Sequence, residues 1–359
     1  MKIDIKRSFL YKILQKMKSR FQKFATPSEL LNYKNNAPAS LGDSQFFSSY
    51  TENLERKLNR TLEILDKTNP NILKKLDKEN VRIFYEAVHG LPLNLDNPKT
   101  FNEKIQWYKI NYRNSLLTKC ADKYKVREYI KEKGLSKYLN DLLGVYTNVE
   151  DLKKDIKKLP NKFVIKCNHW CGDVIVVKDK NTINWDHIEK SFKLLKENYY
   201  WVKYQKPVEY NNILMVNTGE WAYKDIEPVV VVENYLEDSN QELLDYKVFC
   251  FNGKPKFIQI DKDRFTNHTR CYYDLNWVKQ DFSTRYPVFQ GDIKKPDNLE
   301  KIIKVSEKLS SDFPFVRVDL YNINDKRIIF GELTFYHGGG SETFHPSVWD
   351  KKLGDFWKI

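Results

Sequence analysis

The segment FVRVDLYNINDKRIIFGELTFYHGGG, residues 315–340, constrains this chain more than any other. Two strand-length apolar runs flank a polar turn, and each carries one acidic residue in its interior, Asp319 and Glu332. Strand alternation puts Arg317, Asp319 and Tyr321 on one face of the first run, with Val316, Val318 and Leu320 on the other. A two-residue turn at Asp325-Lys326 pairs Asn324 with Arg327, and counting outward sets Asp319 opposite Glu332. Opposed residues have Cβ atoms about 5 Å apart. Two carboxylates at that spacing repel by roughly 3 kcal/mol at an effective dielectric of about 20. A favourable cross-strand pair returns at most about 1 kcal/mol. The hairpin therefore needs positive charge between the carboxylates. Arg317 is one source; a hard divalent cation is another, and Mg²⁺ commonly arrives with phosphates. The alternative is a solvated hairpin in a different register.

The same pattern recurs upstream. Lys166 lies in FVIKCN, Glu233 ends VVVVEN, and Lys247 lies in DYKVF. A charge inside an apolar strand is costly to bury unless paired. Six such residues (Lys166, Glu233, Lys247, Arg317, Asp319 and Glu332) imply a shared polar cleft, with lysines for phosphates and carboxylates for Mg²⁺. The alternative is that several face water on the open side of an antiparallel sheet.

The remaining elements define the class. Helical spacing runs through 51–78, and further helices are expected around 101–112 and 119–134, the latter stopping at Gly134. Strands are expected at 163–167, 174–177 and 228–233, a helix at 185–198, and a helix at 297–309. Residues 246–251 and 256–260 flank Asn252-Gly253, a hairpin signal. Strands and helices alternate without a regular βαβ beat, so the fold class is α+β with largely antiparallel sheets. Four regions are expected: a helical extension at 1–80, a helical part at 81–160, and two α+β subdomains at 161–235 and 236–359.

With 359 residues and a net charge of +13, the chain is long enough for two or three domains and favours anionic partners. No nucleic-acid-binding signature accompanies that charge. Residues 1–25 hold eight Lys and Arg against one Asp, with Phe9, Leu10, Ile13, Leu14, Met17 and Phe21 near one helical stripe. Such a helix either lies on an anionic membrane surface or packs on its own domain. Residues 26–50 read as a linker. No run approaches the roughly 20 apolar residues of a membrane span, and no signal peptide is visible. Five irregularly spaced cysteines argue for a reducing, cytoplasmic setting.

Seven stretches, in order, carry a family resemblance: FNEKIQWYKI (101–110), ADKYKVREYI (121–130), FVIKCNH (163–169), VVENYL (231–236), DYKVFCFNGKPK (245–256), FVRVDLY (315–321) and FGELTFYHGGG (330–340), followed by FHPSVWDKKLG (344–354). Over roughly residues 85–355 the chain resembles the TupA-like branch of the ATP-grasp enzymes, named for teichuronopeptide biosynthesis. The resemblance implies two α+β subdomains gripping ATP. Lys123 and Lys166 would reach the phosphates, and Glu233, Tyr235 and Leu236 would form the adenine hinge, with Glu237 near the ribose. Lys247 would face phosphate or substrate, and Arg317 would stabilise the transferring phosphoryl group. Asp319, Glu332 and Thr334 would hold Mg²⁺, Thr334 standing where many relatives have Asn. The loop after Lys166, NHWCGD (168–173), would cover the phosphates with a single glycine, and Trp170 and Cys171 depart from a glycine-rich pattern. The implied chemistry is carboxylate–amine ligation through an acyl phosphate. The acceptor would be an anionic glycan or uronic-acid-type carboxylate of a cell-surface polysaccharide such as a capsule, joined to an amine donor, with the enzyme at most peripheral on the inner membrane face.

Other readings compete. CNHWC (167–171) invites zinc but offers no fourth ligand nearby, and Cys167 also fits a core position. HGGG (337–340) resembles an esterase oxyanion motif, but the G-x-S-x-G elbow is absent; a flexible substrate loop is the better reading, with His337 and His345 on substrate or merely packed. Trp107, Trp201 and Trp221 offer faces for sugars or pack in the core. DKD (261–263) matches the metal motif of glycosyltransferases without a βαβ start. A non-catalytic ATP-grasp scaffold is the third alternative.

Overall fold

A computed structural model of the chain describes residues 67–169, 174–194, 208–210, 213–215, 219–239, 243–263 and 267–359. The basic segment 1–25, the linker, most of the helix expected at 51–78, and Trp170, Cys171 and Trp201 lie outside these residues. In chain order the elements are α1 (Pro70–His89), α2 (Phe101–Asn111), α3 (Ser115–Ala121), α4 (Val126–Glu132), β1 (Leu142–Tyr146), α5 (Val149–Asp155), β2 (Phe163–Cys167), β3 (Val174–Val177), α6 (Trp185–Leu194), β4 (Val208–Tyr210), β5 (Ile213–Met215), β6 (Val230–Asn234), β7 (Asp245–Phe251), β8 (Lys254–Lys262), β9 (Thr269–Asp274), α7 (Leu299–Ser310), β10 (Phe315–Ile323), β11 (Arg327–Thr334) and α8 (Val348–Asp355).

Two antiparallel sheets carry the α+β architecture. One has the strand order β1-β6-β2-β3 and the other β11-β10-β7-β8-β9; β4 and β5 form a separate ribbon. The four-stranded sheet takes β1 from the stretch read as helical, so its residues start upstream of 161. Each sheet has its own core. Phe163, Ile165, Val230 and Val232 pack with Leu152 of α5 and Ile188 of α6. In the five-stranded sheet β7 is buried along its whole length, because α7 packs against β7, β8 and β10.

Helices α2 to α4 join the second core rather than forming one of their own. Phe101, at the first position of α2, sits 5.1–6.3 Å from the rings of Phe249, Phe251, Phe315, Phe344 and Trp357. Helix α2 starts there because Thr100 and Glu103 form a reciprocal capping box. Gly354 of α8 lies so close to the Lys99 carbonyl that a Cβ would overlap it. Gly354→Ala is therefore expected to cost about 1–3 kcal/mol through overpacking, read as a lower urea midpoint.

Two helices differ from the sequence pattern. The helical stretch expected over 51–78 lies mostly outside the described residues; within them α1 starts at Pro70, which pre-sets its first turn, and runs past 78 to Gly90 at φ +66°. The helix expected over 119–134 is two helices. Asp122 Oδ1 accepts the backbone N–H groups of Tyr124 (2.8 Å) and Lys125 (3.1 Å), which ends α3 and starts α4. Gly134 at φ +67° does terminate the second.

Both hairpins expected in the second sheet are present. Asn252 and Gly253, at φ 49° and 75°, give the two-residue turn expected of that dipeptide. The last hairpin reaches its register differently. Its loop has three residues, with Ile323 pairing Arg327 and Asn324 and Asp325 at φ 52° and 56°. A bulge at Gly331 then adds one residue to β11. The two departures cancel, and Asp319 stands opposite Glu332 as expected.

Candidate active site

The hairpin register builds a polar row across the second sheet. Glu332 pairs with Asp319, Asp319 with Lys247, and Lys247 with Gln259. Two residues along, on the same face, Asp245 pairs with Asp261 and Asp261 with Arg270. Positive charge stands between the opposed carboxylates. Arg317 forks Asp319 at 2.7 and 2.6 Å and lies 3.5 Å from Glu332. Its third contact is His337 Nδ1 at 2.7 Å, and it also donates to Thr334 Oγ1 at 3.1 Å. Thr334 in turn donates to Glu332 at 3.0 Å. Lys123, from the α3–α4 turn, lies 3.6 Å from Glu332. Lys247 bonds Asp245 and lies 3.5 Å from Asp261 and 3.8 Å from Asp319.

Burial and charge set the protonation states. Burial raises the proton affinity of Asp319, opposed by the Arg317 fork and Lys247. Burial also works to raise Glu332, but Lys123, Arg317 and Lys247 overcome it and hold this carboxyl down at about 2. Asp261 falls well below the usual carboxylate range: burial opposes ionisation, and Arg270 and Lys247 more than compensate. His337 is pushed well below 6.5 by burial and by the guanidinium groups of Arg317 and Arg270. Its imidazole is neutral, with Nδ1 as acceptor.

That state has a pH signature. Below about 6.5 the unfolded chain protonates this histidine while the folded chain does not, so stability falls with falling pH by at most about 1.4 kcal/mol per unit. His337→Asn keeps an acceptor for Arg317 and is expected to flatten this part of the profile, measured by urea unfolding between pH 7.5 and 5.

The second group lies on the four-stranded sheet. Lys166 reaches Glu233 at 2.7 Å, and Arg127 of α4 reaches its other oxygen at 3.4 Å. The six charges in strands thus form two clusters, not one. Lys123 connects them: its backbone N–H donates to the Asn168 carbonyl (3.1 Å), two residues after Lys166. Asn168 is fully buried and also binds the backbone of Glu227 and Val229, so the loop beginning NH is clamped where it leaves β2. Beyond β6, Tyr235 and Leu236 make no backbone hydrogen bond to a described residue. Glu237 pairs with Lys162 at 2.5 Å.

Several features were not singled out from sequence. In the sequence Asp261 stands out only within the DKD pattern, yet in the fold it bonds Arg270 (2.6 Å) and Gln259 (3.0 Å) inside the polar row. Asp261 and Arg270 were findable by the same rule, charge within an apolar strand. Arg127 sits on a helix, where no such signal exists. HGGG is not the flexible loop expected: His337 and Gly340 are buried, and the carbonyls of Gly339 and Gly340 accept from Lys109 (2.7 Å) and His89 (3.0 Å). Cys167 packs in the first core as the structural reading of CNHWC had it.

The donors suit a divalent cation shared with phosphates. No group of three or more His, Cys, Asp or Glu side chains among the described residues could hold a metal alone. Two opposed carboxylates and the Thr334 hydroxyl match an ion that draws its other ligands from phosphate oxygens and water. An ionised carboxylate has about four lone-pair positions, so Asp319 retains acceptor capacity beyond the fork.

Two antiparallel sheets in an α+β fold, with Lys166 and Glu233 on one, the opposed carboxylates Asp319 and Glu332 on the other and Lys123 in a turn linked to both, are the frame of an ATP-grasp protein. The chain belongs to the TupA-like ATP-grasp family, whose model matches residues 103–358. No curated protein matches it. Among solved structures, D-alanine–D-alanine ligase from Bacillus anthracis complexed with ATP is 18% identical over 61% of this chain and 57% of its own, with a TM-score of 0.36. L-amino acid ligase from Bacillus licheniformis is 12% identical over 67% of this chain and 49% of its own, with a TM-score of 0.40. N5-carboxyaminoimidazole synthase from Aspergillus clavatus, in complex with ADP and 5-aminoimidazole ribonucleotide, is 12% identical over 64% and 46%, with a TM-score of 0.35. The chain thus spans less than two thirds of each of these proteins.

Proposed function

We propose that this protein is an ATP-dependent carboxylate–amine ligase of cell-surface polysaccharide synthesis, working through an acyl phosphate. The observation that carries the reading is the opposed pair Asp319 and Glu332, bracketed by Arg317, Lys123 and Lys247. Such a constellation suits phosphoryl transfer, where positioning and charge neutralisation do most of the work. Lys123 and Lys166 hold the ATP phosphates. The backbone of Tyr235 and Leu236, which follows Glu233 and makes no hydrogen bond to a described residue, reads adenine, and Glu237 lies toward the ribose. Asp319, Glu332 and Thr334 hold Mg²⁺, which when bound neutralises phosphate charge. The acceptor carboxylate attacks the γ-phosphorus, breaking its bond to ADP. Arg317 stabilises the charge spread over the transferring group, and Lys247 orients phosphate or substrate. The amine then attacks the acyl carbon and expels phosphate, losing its proton to water or base.

The acceptor is an anionic glycan carboxylate of the uronic-acid type, in keeping with the net charge of +13. Work in the cytoplasm, peripheral to the inner membrane face, fits ATP use. The described cysteines are all free and buried, and no described helix is long and apolar enough to cross a membrane.

The test traps the intermediate. With ATP, Mg²⁺, hydroxylamine and a panel of uronic acids, a hydroxamate should form together with ADP. ADP release that no carboxylate stimulates, with no hydroxamate, overturns the ligase reading; nucleotide-sugar binding without ATP binding supports a glycosyltransferase instead.

A further inference from the structure

Helices α1 and α2 enclose a cleft of about 610 Å³ that the site above does not use. Asn71, Lys74, Lys75 and Lys78 fall at i, i+3, i+4 and i+7 along α1, so one helix face presents all four. Trp107 and Asn111, one turn apart on α2, form the opposite wall. The three lysines are exposed and have no ion pair to a described residue, although exposed lysines elsewhere, such as Lys154 and Lys158, pair with near neighbours. Asp96 is the single carboxylate in the lining. Trp107 is partly buried and packs against the second core.

We infer that this cleft binds an anionic saccharide. Lysines supply the charge that carboxylate or phosphate groups on sugars require, and an indole face stacks against the apolar side of a pyranose ring. The amides of Asn71 and Asn111 donate and accept, matching hydroxyl groups that do both. A flat membrane surface does not enter a concave site. A nucleic acid would call for a longer basic track with several stacking faces. The neighbouring face of α2 leads to the reaction centre, because Gln106 and Lys109 bond the Gly339 carbonyl of HGGG. A chain held in the cleft would therefore lie beside the helix that supports that loop.

This inference rests on the ligase reading only for placing the saccharide as acceptor. Binding is measured without nucleotide, so failure of the cleft leaves ATP turnover intact, and failure of ATP turnover leaves saccharide binding intact. Calorimetry on the full chain with a short oligogalacturonate should give salt-sensitive binding, with none for a malto-oligosaccharide of equal length. The exposed triple variant Lys74→Glu, Lys75→Glu, Lys78→Glu should weaken it about tenfold or more, the lower end of what a one-signed charge field contributes. Trp107→Leu, checked for folding by circular dichroism, should weaken it while keeping the salt dependence. No oligogalacturonate binding, or equal binding by the triple variant, overturns the site. Single-stranded DNA or phosphatidylglycerol vesicles that bind more tightly, and lose binding in the triple variant, overturn the saccharide assignment.

Discussion

Replacing Arg317 by methionine is expected to destabilise the fold by about 3–5 kcal/mol, the usual cost of removing one partner of a buried ion pair, and to abolish ATP turnover. The guanidinium is almost fully enclosed and spends its donors on both Asp319 oxygens, on His337 and on Thr334. Without it, Asp319 is a buried carboxylate facing Glu332 across the hairpin, with Lys247 as its remaining close cation. Burial already favours the protonated form of Asp319, so the variant should take up a proton there. Arg317→Lys keeps the charge but not the fork, and one ammonium cannot reproduce those contacts. It should recover part of the stability and little of the turnover. Adding Asp319→Leu to Arg317→Met removes both charges and should restore stability without activity. Urea unfolding and ATP turnover on the same three proteins separate the two roles. A stable, active Arg317→Met would show that Arg317 neither supports the hairpin nor serves the reaction.

The contrast between hairpins shows what was legible in the sequence. Asn252-Gly253 announced itself because both residues tolerate positive φ. The last turn did not, since Asn-Asp-Lys supports loops of two or three residues, and Gly331 looked like an ordinary strand glycine. Asp319 and Glu332 nevertheless ended opposite each other, because the longer loop and the bulge offset by one residue each. The acidic and basic strand positions were visible because an apolar strand leaves a charge conspicuous. Arg127 was hidden, because a charge on a helix is ordinary. The break at Asp122 was hidden as well: the apolar periodicity of 115–132 runs through it, and only the side-chain cap interrupts the helix. Division of the six charges between two sheets was beyond reach, since alternation gives the face within a sheet and not which sheets meet.

Glu332→Gln is expected to lower Mg²⁺-dependent ATP turnover by about 10²–10³-fold, the scale of removing one preorganised electrostatic group, while changing stability by no more than about 1 kcal/mol. The small structural effect follows from its position. Its side chain is 40% exposed, against 6% for Asp319, and its contacts to Lys123 and Arg317 are 3.6 and 3.5 Å. The large functional effect follows from its charge. Held at about 2, the carboxyl is ionised at every pH where the protein would work, so the amide removes a full negative charge from the proposed cation site. Glutamine keeps an acceptor for the Thr334 hydroxyl and preserves the local shape. Lys123 loses its carboxylate partner and becomes more available to phosphate. Nucleotide affinity without Mg²⁺ should therefore hold or rise in the variant, whereas the gain in affinity that Mg²⁺ brings to the wild type should shrink. The loss then falls on kcat more than on KM, which a purely structural lesion would not produce. Calorimetry with and without Mg²⁺, alongside turnover, reads both arms. Wild-type Mg²⁺ dependence retained in Glu332→Gln would remove this residue from the cation site and leave Asp319, forked by Arg317, as a structural ion pair.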